Sequence, residues 1–225
     1  MKYFTKEFIE FYKELAANNH KEWFQSQRKR YEANVKTTME VFVGDLIAAI
    51  AKHDQSVAGM RPGDAMFRIN RDIRFSKDKT PYKTFSSAAI SGGGKKVDGE
   101  AGVYVELGPE KLGLAGGIYM PDKEGVLAIR DAMAAEPKVF IKALHDPTFK
   151  RLWGDLQGEK NKIIAPEHKE AVAVIPYIMH KQFYFWKELP VKLITSDTLL
   201  DTVMEHYVAA KPITKLLNQA VQKSK

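Results

Sequence analysis

The apolar residues of this chain change period twice, and that restricts the fold more than any other property of the sequence. Phe4, Phe8, Phe11, Tyr12 and Leu15 recur at spacings of three and four, which is one face of a helix. A second stripe runs through Phe24, Tyr31, Val35, Met39, Phe42, Leu46 and Ile50. It reads as one long amphipathic helix, or two with a bend near Tyr31, ending by His53-Asp54, and its aromatics read as core. Between Gly102 and Leu107 the period falls to two: Val103, Val105 and Leu107 face one way, Tyr104 and Glu106 the other. From Asp122 the helical spacing returns. Helix, then sheet, then helix predicts an α+β fold, an antiparallel sheet of about four to six strands packed by amino- and carboxy-terminal helices. One domain over residues 1–225 is expected, helical over 4–53, sheet-forming over 65–120 and mainly helical over 122–222.

Local signals refine this outline. Asn18 suits a left-handed helix C-cap, and Asn19 with Glu22 fits an N-cap and its capping-box partner. Gly and Pro mark a loop between Gln55 and Gly63, and Ala65–Ile69 follows as a short strand candidate. Phe85–Ser91 and Leu112–Met120 flank the Gly102–Leu107 strand, with glycine-rich connections that favour a meander. The run Gly92-Gly93-Gly94-Lys95-Lys96 lacks the spacing and trailing hydroxyl of a phosphate loop and reads as a hairpin tip. Val126, Ile129 and Met133 space a helix that stops at Pro137; Lys138–Leu144 and Pro147–Trp153 follow, the latter closed by Gly154. Asp155 to Glu188 shows no clean period and is cut by Pro166 and Pro176. Ser196–Ala210 reads as a helix, with a bend at Pro212 before a last segment to Gln222.

Charge is concentrated in one place. The 225 residues hold 35 Lys and Arg against 28 Asp and Glu, a net +7. Residues 68–83 carry six bases (Arg68, Arg71, Arg74, Lys77, Lys79, Lys83) and two acids (Asp72, Asp78), or +4, leaving +3 for all other residues. Three arginines recur every third residue with Ile69, Ile73 and Phe75 between them, so the apolar residues are expected to anchor the segment while the arginines stay near the surface. Arginine grips phosphate or carboxylate with a planar fork of donors, whereas lysine acts as a point charge. Thr80, preceding Pro81, is driven to an extended conformation, and a turn there would return Lys79, Tyr82 and Lys83 toward the arginines. The segment therefore suits a small-anion pocket built from Arg68, Arg71, Arg74, Lys79, Tyr82 and Lys83, with Asp72 orienting an arginine. The same residues also suit an internal ion network, with Glu106 or Asp64 as partners. A third reading, nucleic-acid binding, would use Phe67, Phe75, Tyr82 and Phe85 to stack bases.

The segment resembles the hallmark of a family of uncharacterised bacterial and fungal proteins, a domain of unknown function with the pattern R-x-x-R-D-x-R-F-x-x-x-K-x-P-Y-K. Arg68, Arg71, Asp72, Arg74, Phe75, Lys79, Pro81, Tyr82 and Lys83 fill its fixed places. The similarity extends to Asn18-Asn19, to Trp23-Phe24, and to Gly116-Gly117-Ile118-Tyr119-Met120-Pro121 with Arg130 after it. Residues 160–190 depart from it: family members tend to show a Pro-x-Gly-aromatic stretch followed by His-Pro, where this chain has Pro166-Glu167-His168-Lys169. The resemblance strengthens the site but implies no particular activity, substrate or cofactor.

Other chemistry is sparse. Absent cysteine removes disulfides, thiolate metal sites and a cysteine nucleophile. The histidines (His20, His53, His145, His168, His180, His206) form no metal-ligand spacing and read as surface or packing groups, so no metal site and no cofactor are expected. Asp72, Asp78 and Glu106 could gather magnesium only as a weaker alternative. Asp72 and Tyr82 are the candidate catalytic groups, Tyr82 because Lys79 and Lys83 flank it, although a hydrogen-bonding or packing role suits it better. Met1-Lys2-Tyr3-Phe4-Thr5-Lys6-Glu7 has no signal-peptide core, and the longest apolar run, Ala171–Met179, is too short to span a membrane. The expectation is a cytoplasmic enzyme or binding protein with no membrane partner, a small anionic ligand or nucleic acid as partner, and an oligomeric state the sequence does not encode legibly.

Overall fold

A computed structural model describes residues 1–94 and 99–223; the Lys95-Lys96 end of the glycine run lies outside the described residues. The element order is α1 (Lys6–Ala17), α2 (Lys21–Ser26), α3 (Arg28–Tyr31), a π-helical turn (Glu32–Lys36), α4 (Thr37–Ala51), α5 (Pro62–Ala65), β1 (Ser86–Ile90), β2 (Gly102–Leu107), β3 (Lys111–Ile118), α6 (Lys123–Ala135), α7 (Pro137–Leu144), α8 (Pro147–Trp153), α9 (Lys169–Val174), β4 (Phe183–Pro190) and α10 (Leu199–Gln222). Among the described residues the strands form one antiparallel sheet in the order β1-β2-β3-β4, four strands flanked by helices, so the fold is α+β. On β2 the burial alternates as the sequence predicts, with Val103, Val105 and Leu107 inward.

The chain divides into two compact units, each assembled from three segments. The first comprises Met1–Ile90, Tyr104–Leu114 and Glu188–Met204. Its core is the face of α1 formed by Phe8, Phe11, Tyr12 and Leu15, with Phe4 just before the helix and Met39, Phe42, Leu46 and Ile50 on α4. Phe4 and Tyr3 meet the Phe42 ring edge-on at 5.7 and 5.2 Å, the arrangement that ring quadrupoles favour. Each such fully buried side chain contributes roughly 1.5–3 kcal/mol. Arg30 reaches back from α3 to bridge Glu7 and Glu14 on α1. The irregularity expected near Tyr31 is present as the π-helical turn that follows it.

The second unit comprises Ser91–Val103, Ala115–Lys187 and Glu205–Lys225. Asp122 and Asp146 cap α6 and α8 by accepting backbone N–H groups from Gly125 (2.7 Å) and from Thr148 and Phe149 (2.9 and 3.0 Å). Phe149 and Trp153 of α8 pack edge-on around Phe185 at 5.1 and 4.7 Å, and Trp153 Nε1 donates to the His206 carbonyl at 2.9 Å. Gly116 and Gly117 lie against this cluster. A Cβ on Gly116 would overlap the Phe185 ring; one on Gly117, which has φ +84°, would overlap the Phe183 carbonyl.

Several expectations are corrected. Asn18 ends α1 with φ −132°, not left-handed, because its Nδ2 donates back to the Glu14 carbonyl at 2.9 Å and closes the helix without that turn. His20, not Asn19, caps α2, accepting from the Trp23 N–H at 3.4 Å; the Asn19 side chain is used elsewhere. Ala65–Ile69 forms no continuous strand: Ala65 closes α5, Met66 makes an isolated bridge to Ala88, the Phe67 N–H donates to the Ser87 carbonyl at 2.9 Å, and Ile69 pairs with Lys83 instead. The two segments read on either side of Pro212 are one helix, α10, in which Pro212 withholds a single donor. β4 lies in the stretch that showed no period, since Phe183-Tyr184-Phe185-Trp186 puts aromatics on both faces.

Candidate functional site

Residues 69–71 and 81–83 form a short antiparallel ribbon in the first unit. Asn70 and Tyr82 are bridged, the Arg71 N–H donates to the Pro81 carbonyl at 2.9 Å, and the Lys83 N–H donates to the Ile69 carbonyl at 2.8 Å. Thr80-Pro81 supplies the extended return strand that a pre-proline residue prefers. Asn19 holds the ribbon from outside. Its Nδ2 donates to the Tyr82 carbonyl at 2.9 Å and its Oδ1 accepts from the Tyr82 N–H at 3.1 Å. The buried Tyr82 ring stacks on Phe24 at 4.2 Å with the planes 24° apart.

The loop between the two arms, residues 72–80, is closed by its own charges. Asp72 and Asp78 each accept a backbone N–H two residues on, from Arg74 at 3.2 Å and Thr80 at 2.9 Å, which is the side-chain-mediated turn that Asp favours. The Arg71 guanidinium points into the loop and donates to Asp78 and to the Thr80 hydroxyl, with Ser76 Oγ at 3.5 Å. Arg74 grips Asp72 with two donors, at 3.0 and 2.6 Å. Lys79 Nζ donates to the Ile73 carbonyl at 2.9 Å. The Arg74 fork holds the Asp72 carboxyl down at about 2; the Thr80 N–H, followed by Arg71, does the same for Asp78, also at about 2.

A cleft of about 450 Å³ opens beside the ribbon. Of the residues singled out in the sequence, Arg71, Asp72, Asp78, Thr80, Tyr82, Lys83 and Phe85 line it. Arg68, Arg74 and Lys79 do not line it; all three are exposed. Lys83 is half-buried, and its ammonium lies over the Phe67 ring at 5.1 Å from the centroid. Desolvation, reinforced by the nearby Arg68 charge, lowers its pKa against a weaker opposing pull from Glu106. Neither Lys83 nor Arg68 makes an ion pair among the described residues.

The acid that engages Arg71 is Asp78, neither Glu106 nor Asp64; Asp64 pairs with Arg61. Phe75 corrects another expectation. It does not anchor the segment but stands 95% exposed, because strand-like alternation ends where the chain leaves the ribbon at Asp72. The arginine it accompanies is its own neighbour, Arg74, at 5.8 Å from the ring centroid. Sequence reasoning missed Asn19 as a support of the site, although Asn18-Asn19 belonged to the resemblance. Among the described residues no group of three or more His, Asp or Glu is placed to hold a metal ion, and no helix is long and apolar enough to cross a membrane.

Compared with curated proteins, the chain matches none. The family model described as "Conserved hypothetical protein (DUF2461)" matches residues 7–215, the ribbon and all four strands included, and the chain belongs to that family.

Proposed function

We propose that the protein binds a small anion, a phosphate or carboxylate ligand, in the cleft beside the ribbon, with Lys83 and Arg71 as its cationic wall. One observation carries this reading: Lys83 is half-buried on the cleft wall, close enough to Arg68 to feel its repulsion, and has no ion-pair partner among the described residues. An anion seated there would offset both the desolvation and the repulsion. Arg71 adds a fork whose orientation is already set by Asp78, Thr80 and Ser76. Arg74, Lys79 and Asp72 shape the loop, and Arg68 contributes charge from outside the cleft. In a phosphate-handling enzyme, Asp72 and Asp78 would accept a proton or orient a donor, since neither holds a proton to give at neutral pH.

Thermal denaturation at constant ionic strength, with inorganic phosphate or acetate against chloride, tests the reading. Phosphate or acetate should raise the melting temperature of the wild type and leave Lys83→Met unmoved. Equal responses of the two proteins, or none beyond chloride, would remove it.

A second reading, a structural or partner-binding role with the motif as an internal ion network, is favoured by the pairs Arg71–Asp78 and Arg74–Asp72. It is the reading left standing if no anion stabilises the fold. Nucleic-acid binding would rest on Phe75 and on the half-buried Phe85 at the cleft, because Tyr82 is buried on Phe24 and Phe67 is covered by Lys83. It requires oligonucleotide affinity that falls steeply with salt and weakens in Phe75→Ala.

A further inference from the structure

The second unit contains a cavity of about 310 Å³ that shares no residue with the ribbon cleft. Its polar lining includes His180, Lys160, Asp155 and Tyr177. The buried imidazole of His180 is fixed in one tautomer. Its Nδ1 lies 3.1 Å from the Tyr177 carbonyl, which can only accept, so Nδ1 carries the proton and Nε2 keeps its lone pair. The backbone on either side of the ring is also held: Arg130 donates to the Ile178 and His180 carbonyls at 2.9 and 3.0 Å. Burial, opposed by the Tyr177 carbonyl bond and by Asp155 and joined by the Lys160 charge, holds the pKa of His180 below its ordinary value, which favours the neutral ring.

Lys160 stands opposite His180 in an isolated antiparallel bridge. The flanking bonds, Asn161 N–H to the Met179 carbonyl at 2.7 Å and Lys181 N–H to the Glu159 carbonyl at 2.8 Å, fix that register. Directly opposed residues in such a pair project to the same side, which puts ammonium and imidazole on one wall. Lys160 is exposed and makes no ion pair among the described residues. Asp155 is already engaged, paired with Lys150 at 3.1 Å and accepting from the Tyr177 hydroxyl at 2.7 Å. Ile141 and Val174 line the cavity with hydrocarbon, which suits a ligand with an apolar body better than inorganic phosphate.

We propose that this cavity is a second ligand site, for a small hydroxycarboxylate. The carboxylate rests on the Lys160 ammonium, the hydroxyl donates to His180 Nε2, and the hydrocarbon body lies against Ile141 and Val174. Long-range proton–nitrogen spectra of the imidazoles in the full chain test it, with lactate, its deoxy counterpart propionate, and inorganic phosphate as probes. Lactate should move the His180 Nε2 resonance saturably, and propionate, which cannot donate to that nitrogen, should bind about tenfold more weakly. Lys160→Met, checked for an unchanged circular dichroism spectrum, should lose the response; Lys83→Met at the ribbon should keep it. The site is refuted by equal binding of lactate and propionate, by a response that phosphate reproduces or that survives Lys160→Met, or by no response at all.

Discussion

Asn19 and the backbone of Tyr82, 63 residues apart in the chain, exchange two hydrogen bonds, one donated by the Asn19 amide and one accepted by it. The pair fastens the second arm of the ribbon to the connection between α1 and α2. Asn19→Ala strips a donor and an acceptor of Tyr82 of their partners, at about 1–3 kcal/mol. Urea denaturation should show a loss of that size, and the Tyr82 amide should exchange faster with solvent in the variant.

Gly116→Ala drives a methyl into the Phe185 ring and should cost about 1–3 kcal/mol, since the ring can shift. Gly117→Ala should cost more. It meets a backbone carbonyl that cannot rotate away, and it forces a left-handed conformation worth roughly 1–2 kcal/mol by itself. Comparing the two denaturation midpoints checks the order.

Asp72 and Asp78 have pKa values held at about 2, below the ordinary 3.8, so their pairing supports the loop above the unfolded value and that support is lost as pH falls from about 4 to 2. Carboxyl carbon shifts followed by NMR should report both titrations. Arg74→Ala should return Asp72 toward its ordinary value. Arg71→Ala should move Asp78 only part of the way, because the Thr80 N–H is the larger cause there.

The Tyr12 hydroxyl, in the core of the first unit, lies 2.6 Å from Ser86 Oγ. Burial pushes its pKa well above the ordinary value, so the phenol stays protonated and able to donate. Tyr12→Phe and Ser86→Ala should each destabilise by about 1 kcal/mol. A double-mutant cycle should give a non-zero coupling, which is absent if the contact carries no energy.

The sequence made the helices legible where apolar spacing and punctuation agreed: Pro147–Trp153 with Gly154 after it, and the alternation of Val103, Val105 and Leu107, match the structure residue for residue. β4 escaped because aromatic residues on both its faces erase the period of two. In the candidate site, charge density pointed to Arg71, Asp72 and Lys83 and the Thr80-Pro81 turn to Tyr82, but Arg68, Arg74 and Lys79, read as part of the same pocket, stand outside the cleft. The pairing of the charges was not readable. Which carboxylate meets Arg71 depends on where the chain turns, and the turn is made by Asp72 and Asp78 capping backbone amides, a choice that composition leaves open. Asn19 was misread because an asparagine before a helix has a local use, and only the folded chain brings Tyr82 to it. The His180 cavity was invisible for a similar reason: Lys160 and His180 meet through a bridge between two irregular segments.

The alternation of segments between the two units has a consequence for synthesis. The first 90 residues leave the ribosome carrying most of the aromatic core of their unit, yet the closing segment Glu188–Met204, with Ile194, Leu199 and Val203 fully buried, is translated about a hundred residues later. At about 5–20 residues per second that is a wait of roughly 5–20 s. Until that segment is made the first unit lacks Ile194, Leu199 and Val203, so its core is completed only late in synthesis. No single cut of the gene separates one unit whole from the other, so the two are inherited, expressed and lost together.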